Sequence, residues 1–183
     1  LADDLVSRFG LPPDAATMVA RVAGGNLEYA RELVTSASAR RERDLLLDLA
    51  RDLPGAGLMD VQVGLDDIMA DLESRALERV AGLDAELTRA LEWAGDARTK
   101  AWLKKRHEER AKRQQRRLQT LGLQTVTRVF AGWYRDLGLV AVGAEAAVLN
   151  QDRLDDLRAQ VIPGGLLAYT NAVAAVQKAQ DRL

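Results

Sequence analysis

The sequence is poor in the residues that usually carry chemistry, with no cysteine, one histidine, four prolines and 4% aromatic residues in 183 positions. The absence of cysteine excludes disulfide bonds, thiolate catalysis and cysteine-based zinc sites. No stretch approaches the run of about 18 apolar residues that marks a membrane-spanning helix, and the amino-terminal residues do not follow a signal-peptide pattern. We therefore expect a cytoplasmic protein without a membrane partner.

Helix-forming residues dominate the composition. Apolar residues make up 48% of the chain and charged residues 29%, as in globular proteins. Leu, Ala, Arg, Glu and Asp have high helix propensity, and no segment shows the period-two alternation of β-branched and aromatic residues that marks a strand. The sequence predicts an all-α fold.

Proline and glycine divide the chain into predicted helices. Three short helices over residues 1–36 are separated by Pro12-Pro13 and Gly24-Gly25. A charged helix then runs to a break at Pro54-Gly55. We predict two domains, a three-helix module with its elbow helix over residues 1–50 and a helical bundle over residues 51–183.

The bundle has apolar stripes at helical spacing. One stripe follows a long helix over residues 60–91, and another follows residues 123–140 at spacings of three and four. A last helix begins at Leu166. The predicted packing residues, facing either the core of the chain or a neighbouring subunit, are Phe130, Trp133, Leu137, Tyr169 and Val173.

Charge is unevenly placed along the chain. Residues 98–117 hold ten Lys and Arg against two Glu, a net charge of +8, which leaves −9 for the rest of a chain whose total is −1. Such a run fits either a nucleic-acid contact or a solvated helix face that serves solubility. The candidate nucleic-acid contacts are Lys104, Lys105, Arg106, Arg110, Lys112, Arg113, Arg116 and Arg117.

Catalytic and cofactor motifs are missing from the sequence. His107 has no second histidine to share a metal, and no phosphate-binding loop of the GxxxxGK[ST] type occurs. We predict no catalytic residue, no metal site and no cofactor, and we expect His107 at the surface. Trp102 lies within the basic run, where it either stacks on a base or, as we expect, is buried against a neighbouring helix.

Three sequence pieces carry a resemblance to a known family: GGNLEYAREL at residues 24–33, AGWYRDLGLV at residues 131–140 and LNQDR at residues 149–153. With the helix order, they resemble the lid and the C-terminal collar domain of the delta prime subunit of the bacterial DNA polymerase III clamp loader, in its actinobacterial form. The resemblance covers essentially the whole chain.

The resemblance implies a role in DNA replication. Residues 1–50 would be the lid and residues 51–183 the collar, which oligomerises with the delta and gamma/tau subunits. The ring that these subunits form loads the sliding clamp on primed DNA. The sliding clamp and primed DNA would therefore be indirect partners. Because the chain starts at Leu1 and lacks the family's ATPase-like domain, we expect a fragment of a longer, non-catalytic subunit. The alternative is a nucleic-acid-binding helical module that acts through residues 98–117.

One departure from the family pattern concerns ATP. In related loader subunits that hydrolyse ATP, the helix after the lid glycine carries a nucleotide-sensing arginine near its start. Here Gly25-Asn26-Leu27 is followed by Glu28, whose carboxylate would repel a γ-phosphate. The resemblance therefore implies a poor ATPase.

Overall fold

Helices make up the ordered part of the fold. The computed structural model describes the backbone of residues 1–182 and their side chains except those at positions 58, 61, 75, 78, 79 and 81–83. All regular secondary structure in this part of the chain is helical, so the predicted all-α fold is confirmed. The α-helices are α1 (Ala2–Phe9), α2 (Pro13–Val22), α3 (Leu27–Thr35), α4 (Ala37–Asp52), α5 (Leu58–Trp93), α6 (Ala97–Ala141), α7 (Leu154–Gln160) and α8 (Leu166–Gln180).

The helices form two compact units. Unit 1 consists of Leu1–Gly55 together with Val126–Arg182, and unit 2 consists of Ala56–Thr125. Unit 1 thus groups residues 126–182 with the first segment, whereas the prediction grouped them with residues 51–125, and the predicted domains stay a prediction. Hydrogen bonds between α4 and the residues that precede α7 are among the contacts that link the two segments of unit 1. The assignment of lid and collar stays a prediction.

Helices α1, α2 and α3 form a small cluster within unit 1. Gly10 ends α1 with φ at 65°, a left-handed conformation that glycine adopts at low cost. Asn26 caps α3, since its side chain accepts the Tyr29 backbone N–H at 3.0 Å. The buried apolar residues of the cluster are Leu5, Ala16, Ala23, Tyr29, Ala30 and Leu33.

The rest of unit 1 is built on α4, the second half of α6, α7 and α8. The predicted stripe on α6 is buried at its centre, and its ends, Leu123 in unit 2 and Val140 in unit 1, are half-buried. Buried apolar residues in this part of unit 1 are Leu46, Leu47, Ala50, Val126, Val129, Phe130, Trp133, Leu137, Val148, Leu157 and Tyr169.

Unit 2 is a helical hairpin. Leu72 of α5 packs against Gly122 of α6, and Glu86 of α5 pairs with Arg110 of α6, as expected for antiparallel helices joined at residues 94–96. Leu72 and Ala76 are buried, whereas Leu65 and Met69 of the predicted α5 stripe stay more than 40% exposed. Leu83, which also belongs to that stripe, lies outside the described side chains.

Within the described residues, none of the helices combines the length and the apolar content of a bilayer span.

Candidate functional site

A buried polar cluster joins α4 to α6 in unit 1. The Arg43 guanidinium donates to both carboxylate oxygens of Asp152, at 2.7 and 2.9 Å, and to Oδ1 of Asn150 at 2.7 Å. Asn150 in turn donates from Nδ2 to Asp136 at 2.8 Å. Arg43, Asn150 and Asp136 are at most 9% exposed. Each polar group of the cluster therefore has a partner inside the protein, as buried polar groups require.

The pKa values of the two carboxylates of the cluster, Asp136 and Asp152, are shifted in opposite directions. Burial raises the pKa of Asp136, although hydrogen bonds from Leu149 and Asn150 oppose the shift. Burial also acts against ionisation of Asp152, but the hydrogen bond and the charge of Arg43 outweigh it, and the pKa of Asp152 is lowered. The cluster thus favours the ionised form of Asp152, whereas burial disfavours the ionised form of Asp136.

A second group of charges lies beside the first. Arg153 donates to Asp44 at 3.3 Å and to Asp48 at 3.1 Å, both on α4, and to Asp156 of α7 at 3.4 Å. These groups are partly exposed, so each pair contributes less than a buried one. Their arrangement adds further ties between α4 and the start of α7. Both clusters consist of paired charges, which is typical of a structural role.

The predicted packing residues lie mainly in the core of the chain itself. Phe130, Trp133, Leu137 and Tyr169 are at most 7% exposed inside unit 1. Trp133 donates its indole N–H to Gln160 at 2.9 Å, so its polar atom is also satisfied. Val173 is half-buried and lies on α8, where it lines a surface groove.

That groove lies between α6 and α8 of unit 1, has a volume of about 350 Å³ and is lined mainly by apolar atoms. The groove is not predictable from the sequence, because apolar residues at helical spacing line either a core or a groove. Leu166, the first residue of α8, lines the groove and is 43% exposed. The lining of the groove includes Gly138, Leu139, Val142, Leu166, Tyr169 and Val173.

The predicted basic residues lie on α6 in unit 2. Arg110 is held by Glu86 at 3.1 Å, and the Arg106 guanidinium lies over the Trp102 ring at 5.1 Å from its centroid. Solvent reaches cations along nearly four turns of this helix, from Lys104 to Arg117. All eight candidates are exposed: Lys104, Lys105, Arg106, Arg110, Lys112, Arg113, Arg116 and Arg117.

Two expectations about single residues in this region are wrong. Trp102 is 55% exposed and not buried against a neighbouring helix, because it shares an outer face of α6 with Arg106, one turn away. His107, expected at the surface, has a side chain only 15% exposed. Its Nε2 lies 3.3 Å from an Asp84 carboxylate oxygen, so it packs at the contact between α5 and α6.

The start of α3 and the acidic residues of the chain are the remaining candidate positions from the sequence. Asn26 uses its side chain to cap α3, and Glu28 is exposed in the first turn of that helix. Among the described residues, no group of three His, Asp or Glu side chains is arranged to hold a metal ion. Comparison with protein-family models, curated proteins and solved structures found no significant match to this chain.

Proposed function

We propose that the chain is part of a non-catalytic clamp-loader subunit, which assembles with the delta and gamma/tau subunits to place the sliding clamp on primed DNA. The proposal starts from the resemblance of three sequence pieces to the delta prime family. Two of these pieces supply Trp133, Asp136, Asn150 and Asp152, which tie α6, α7 and α4 together in unit 1. The motif residues therefore act as structural ties, which suits a scaffold.

The observation that carries the assembly role is the groove between α6 and α8. Val142 and Leu166, which line it, are 58% and 43% exposed. Exposed apolar patches that surround a groove are typical of protein interaction sites. We propose that helices of the neighbouring loader subunits cover this face.

Co-purification tests the assembly role. The chain, mixed at micromolar concentration with the delta and gamma/tau subunits, is expected to elute with them in size-exclusion chromatography. Val142→Asp with Leu166→Asp is expected to abolish co-elution, because it places carboxylates in an apolar interface. Leu45→Asp, on α4 of the same unit and 68% exposed, is the matched control and should leave assembly intact. A wild-type chain that never enters the complex would contradict the proposal.

A second function, binding of a polyanion such as nucleic acid, is favoured by the exposed cations of α6. Phosphate neutralisation by several Lys and Arg makes affinity fall steeply with salt concentration. Titration of labelled DNA at two salt concentrations measures that slope, and binding that does not weaken with salt would rule out this mechanism. The two functions are compatible, since they use different units of the chain.

A further inference from the structure

The closed end of the unit 2 hairpin exposes two tryptophans. Trp93 is the last residue of α5 and is 89% exposed, and Trp102, in the second turn of α6, is 55% exposed. Tryptophan is among the most apolar side chains by area, and it is highly buried on average. Two such rings in solvent at one end of one hairpin have no role in the core of the unit.

Trp102 is already oriented by a cation. The Arg106 guanidinium lies 5.1 Å from its ring centroid, a cation–π contact between residues one helical turn apart. This contact covers one part of the ring, while more than half of the side chain stays open to solvent. It also holds the guanidinium next to the ring, where both can meet one nucleotide.

The charge around the two rings is predominantly positive. Lys100, Lys104 and Lys105 are exposed on the first turns of α6. Of the nearby acids, Glu92 is exposed at the end of α5, and Asp96 caps α6 by accepting the Thr99 backbone N–H at 2.8 Å and its hydroxyl at 2.6 Å. Exposed aromatic rings within a cationic surface are the combination that binds single-stranded nucleic acids.

We propose that this hairpin tip, defined by Trp93, Trp102, Lys104, Lys105 and Arg106, binds single-stranded nucleic acid by stacking unpaired bases on its indole rings. The proposal rests on the second function above and specifies its ligand class. Bases within a duplex are stacked on one another, so only unpaired bases offer a free face to an indole ring. The lysines and Arg106 would neutralise the phosphates between the stacked bases.

The test uses the full 183-residue chain and two fluorescein-labelled probes, an oligo-dT strand of about 20 nucleotides and a duplex of equal length. Trp93→Ala with Trp102→Ala is expected to weaken oligo-dT binding about tenfold or more. Duplex binding should change less than about twofold, because the phosphate contacts remain. Trp93→Phe with Trp102→Phe keeps aromatic faces and should retain most of the affinity.

A charge-matched control separates the tip from net charge. Lys104→Ala, Lys105→Ala and Arg106→Ala together remove three cations from the tip and should weaken binding of both probes. Arg31→Ala, Arg41→Ala and Lys178→Ala remove three exposed cations from unit 1 and should leave both affinities nearly unchanged. In the wild type, unlabelled oligo-dT is expected to quench tryptophan fluorescence. This measurement reports stacking in a protein with no substitution at the tip.

The outcomes distinguish the proposals. Oligo-dT binding that is unchanged by the alanine pair and accompanied by no quenching overturns the stacking tip, and leaves polyanion binding through the basic residues in place. Equal losses for both probes also overturn it. Absence of binding to either probe at low salt overturns both proposals. Displacement of oligo-dT by poly-glutamate at equal charge concentration would assign the tip to an acidic protein partner and contradict a nucleic-acid site.

Discussion

Asn150 donates both its backbone N–H and its side-chain Nδ2 to one oxygen of the Asp136 carboxylate, each at 2.8 Å. The remaining polar atom of its side chain, Oδ1, accepts from Arg43 at 2.7 Å. A single amide therefore links a carboxylate on α6 to a guanidinium on α4. Because both charges are buried, removal of this link leaves each of them short of a partner.

Asn150→Ala is accordingly expected to lower the free energy of unfolding by about 1–3 kcal/mol, since Arg43 and Asp136 each lose one hydrogen-bond partner in a buried site. Urea denaturation followed by circular dichroism measures the change. Asn171→Ala, on the exposed side of α8, is the control and should change stability by no more than about 0.5 kcal/mol. Equal midpoints for the two variants would mean that the link carries no stability.

The stability of the protein should depend on pH through Asp152. Burial alone would raise its pKa, but Arg43 holds the pKa below the ordinary value of 3.8. The unfolded chain then binds the proton more readily, so the contribution of Asp152 is complete above that value and is lost as the pH falls through the folded pKa. The stability difference between wild type and Asp152→Asn should therefore be larger at pH 7 than at pH 3.

The comparison with Asp152→Asn is needed because the stability of the wild type also depends on pH through Asp136. Its pKa is raised by burial, so its contribution to stability decreases as the pH rises above the ordinary value. The two carboxylates act in opposite directions on the wild-type curve. A difference between wild type and Asp152→Asn that grows as the pH is lowered would contradict the ion pair with Arg43.

The tryptophans should differ sharply in their effect on stability. Trp133 is 1% exposed and fills the core of unit 1, so Trp133→Ala should cost about 3–5 kcal/mol, as large core truncations do. Trp93→Ala removes the same atoms from a side chain that is 89% exposed and should change stability by about 0.5 kcal/mol or less. Thermal unfolding of both variants compares them, and a similar loss for Trp93→Ala would show that it is covered in solution.

Backbone conformation can be tested at two glycines with similar space around them. A Cβ at either Gly10 or Gly95 meets no atom within 4 Å, but only Gly10 has a positive φ, of 65°. Gly10→Ala should therefore destabilise the protein by about 1 kcal/mol through the left-handed conformation alone. Gly95→Ala should be neutral or slightly stabilising, because alanine restricts the unfolded chain. Urea denaturation midpoints of the two variants measure the difference. A Gly10→Ala variant as stable as the wild type would contradict the left-handed conformation of Gly10 at the end of α1.

The helices were predictable because their signals are local. Gly10, Pro13 and Asn26 act within one turn of their own positions, and the spacing of Phe130, Trp133 and Leu137 needs only the period of one helix. The centre of the α6 stripe is buried as predicted. The basic candidates are exposed as a solvated or binding face requires, and their role in binding stays a prediction.

The grouping of the helices was not predictable from the same signals. Arg43 lies in a run of charged residues that reads as a solvent-exposed helix face, and its partners Asn150 and Asp152 follow it by more than 100 positions. Periodicity gives each helix an inner face but does not say which helices meet. The prediction that Trp102 is buried is wrong for a related reason, since tryptophan is buried on average and an exposed one is recognised only from its surroundings.

The separation of Arg43 from Asn150 and Asp152 also bears on how the chain is made. Synthesis from the amino terminus completes the α1–α3 cluster and then the whole hairpin of unit 2 before residue 150 leaves the ribosome. Until that moment Arg43 lacks its partners Asn150 and Asp152, and long-range contacts of this kind form last. Nascent chains stopped before residue 148 should therefore be protease-sensitive at α4 and protected only after its carboxy-terminal partners emerge.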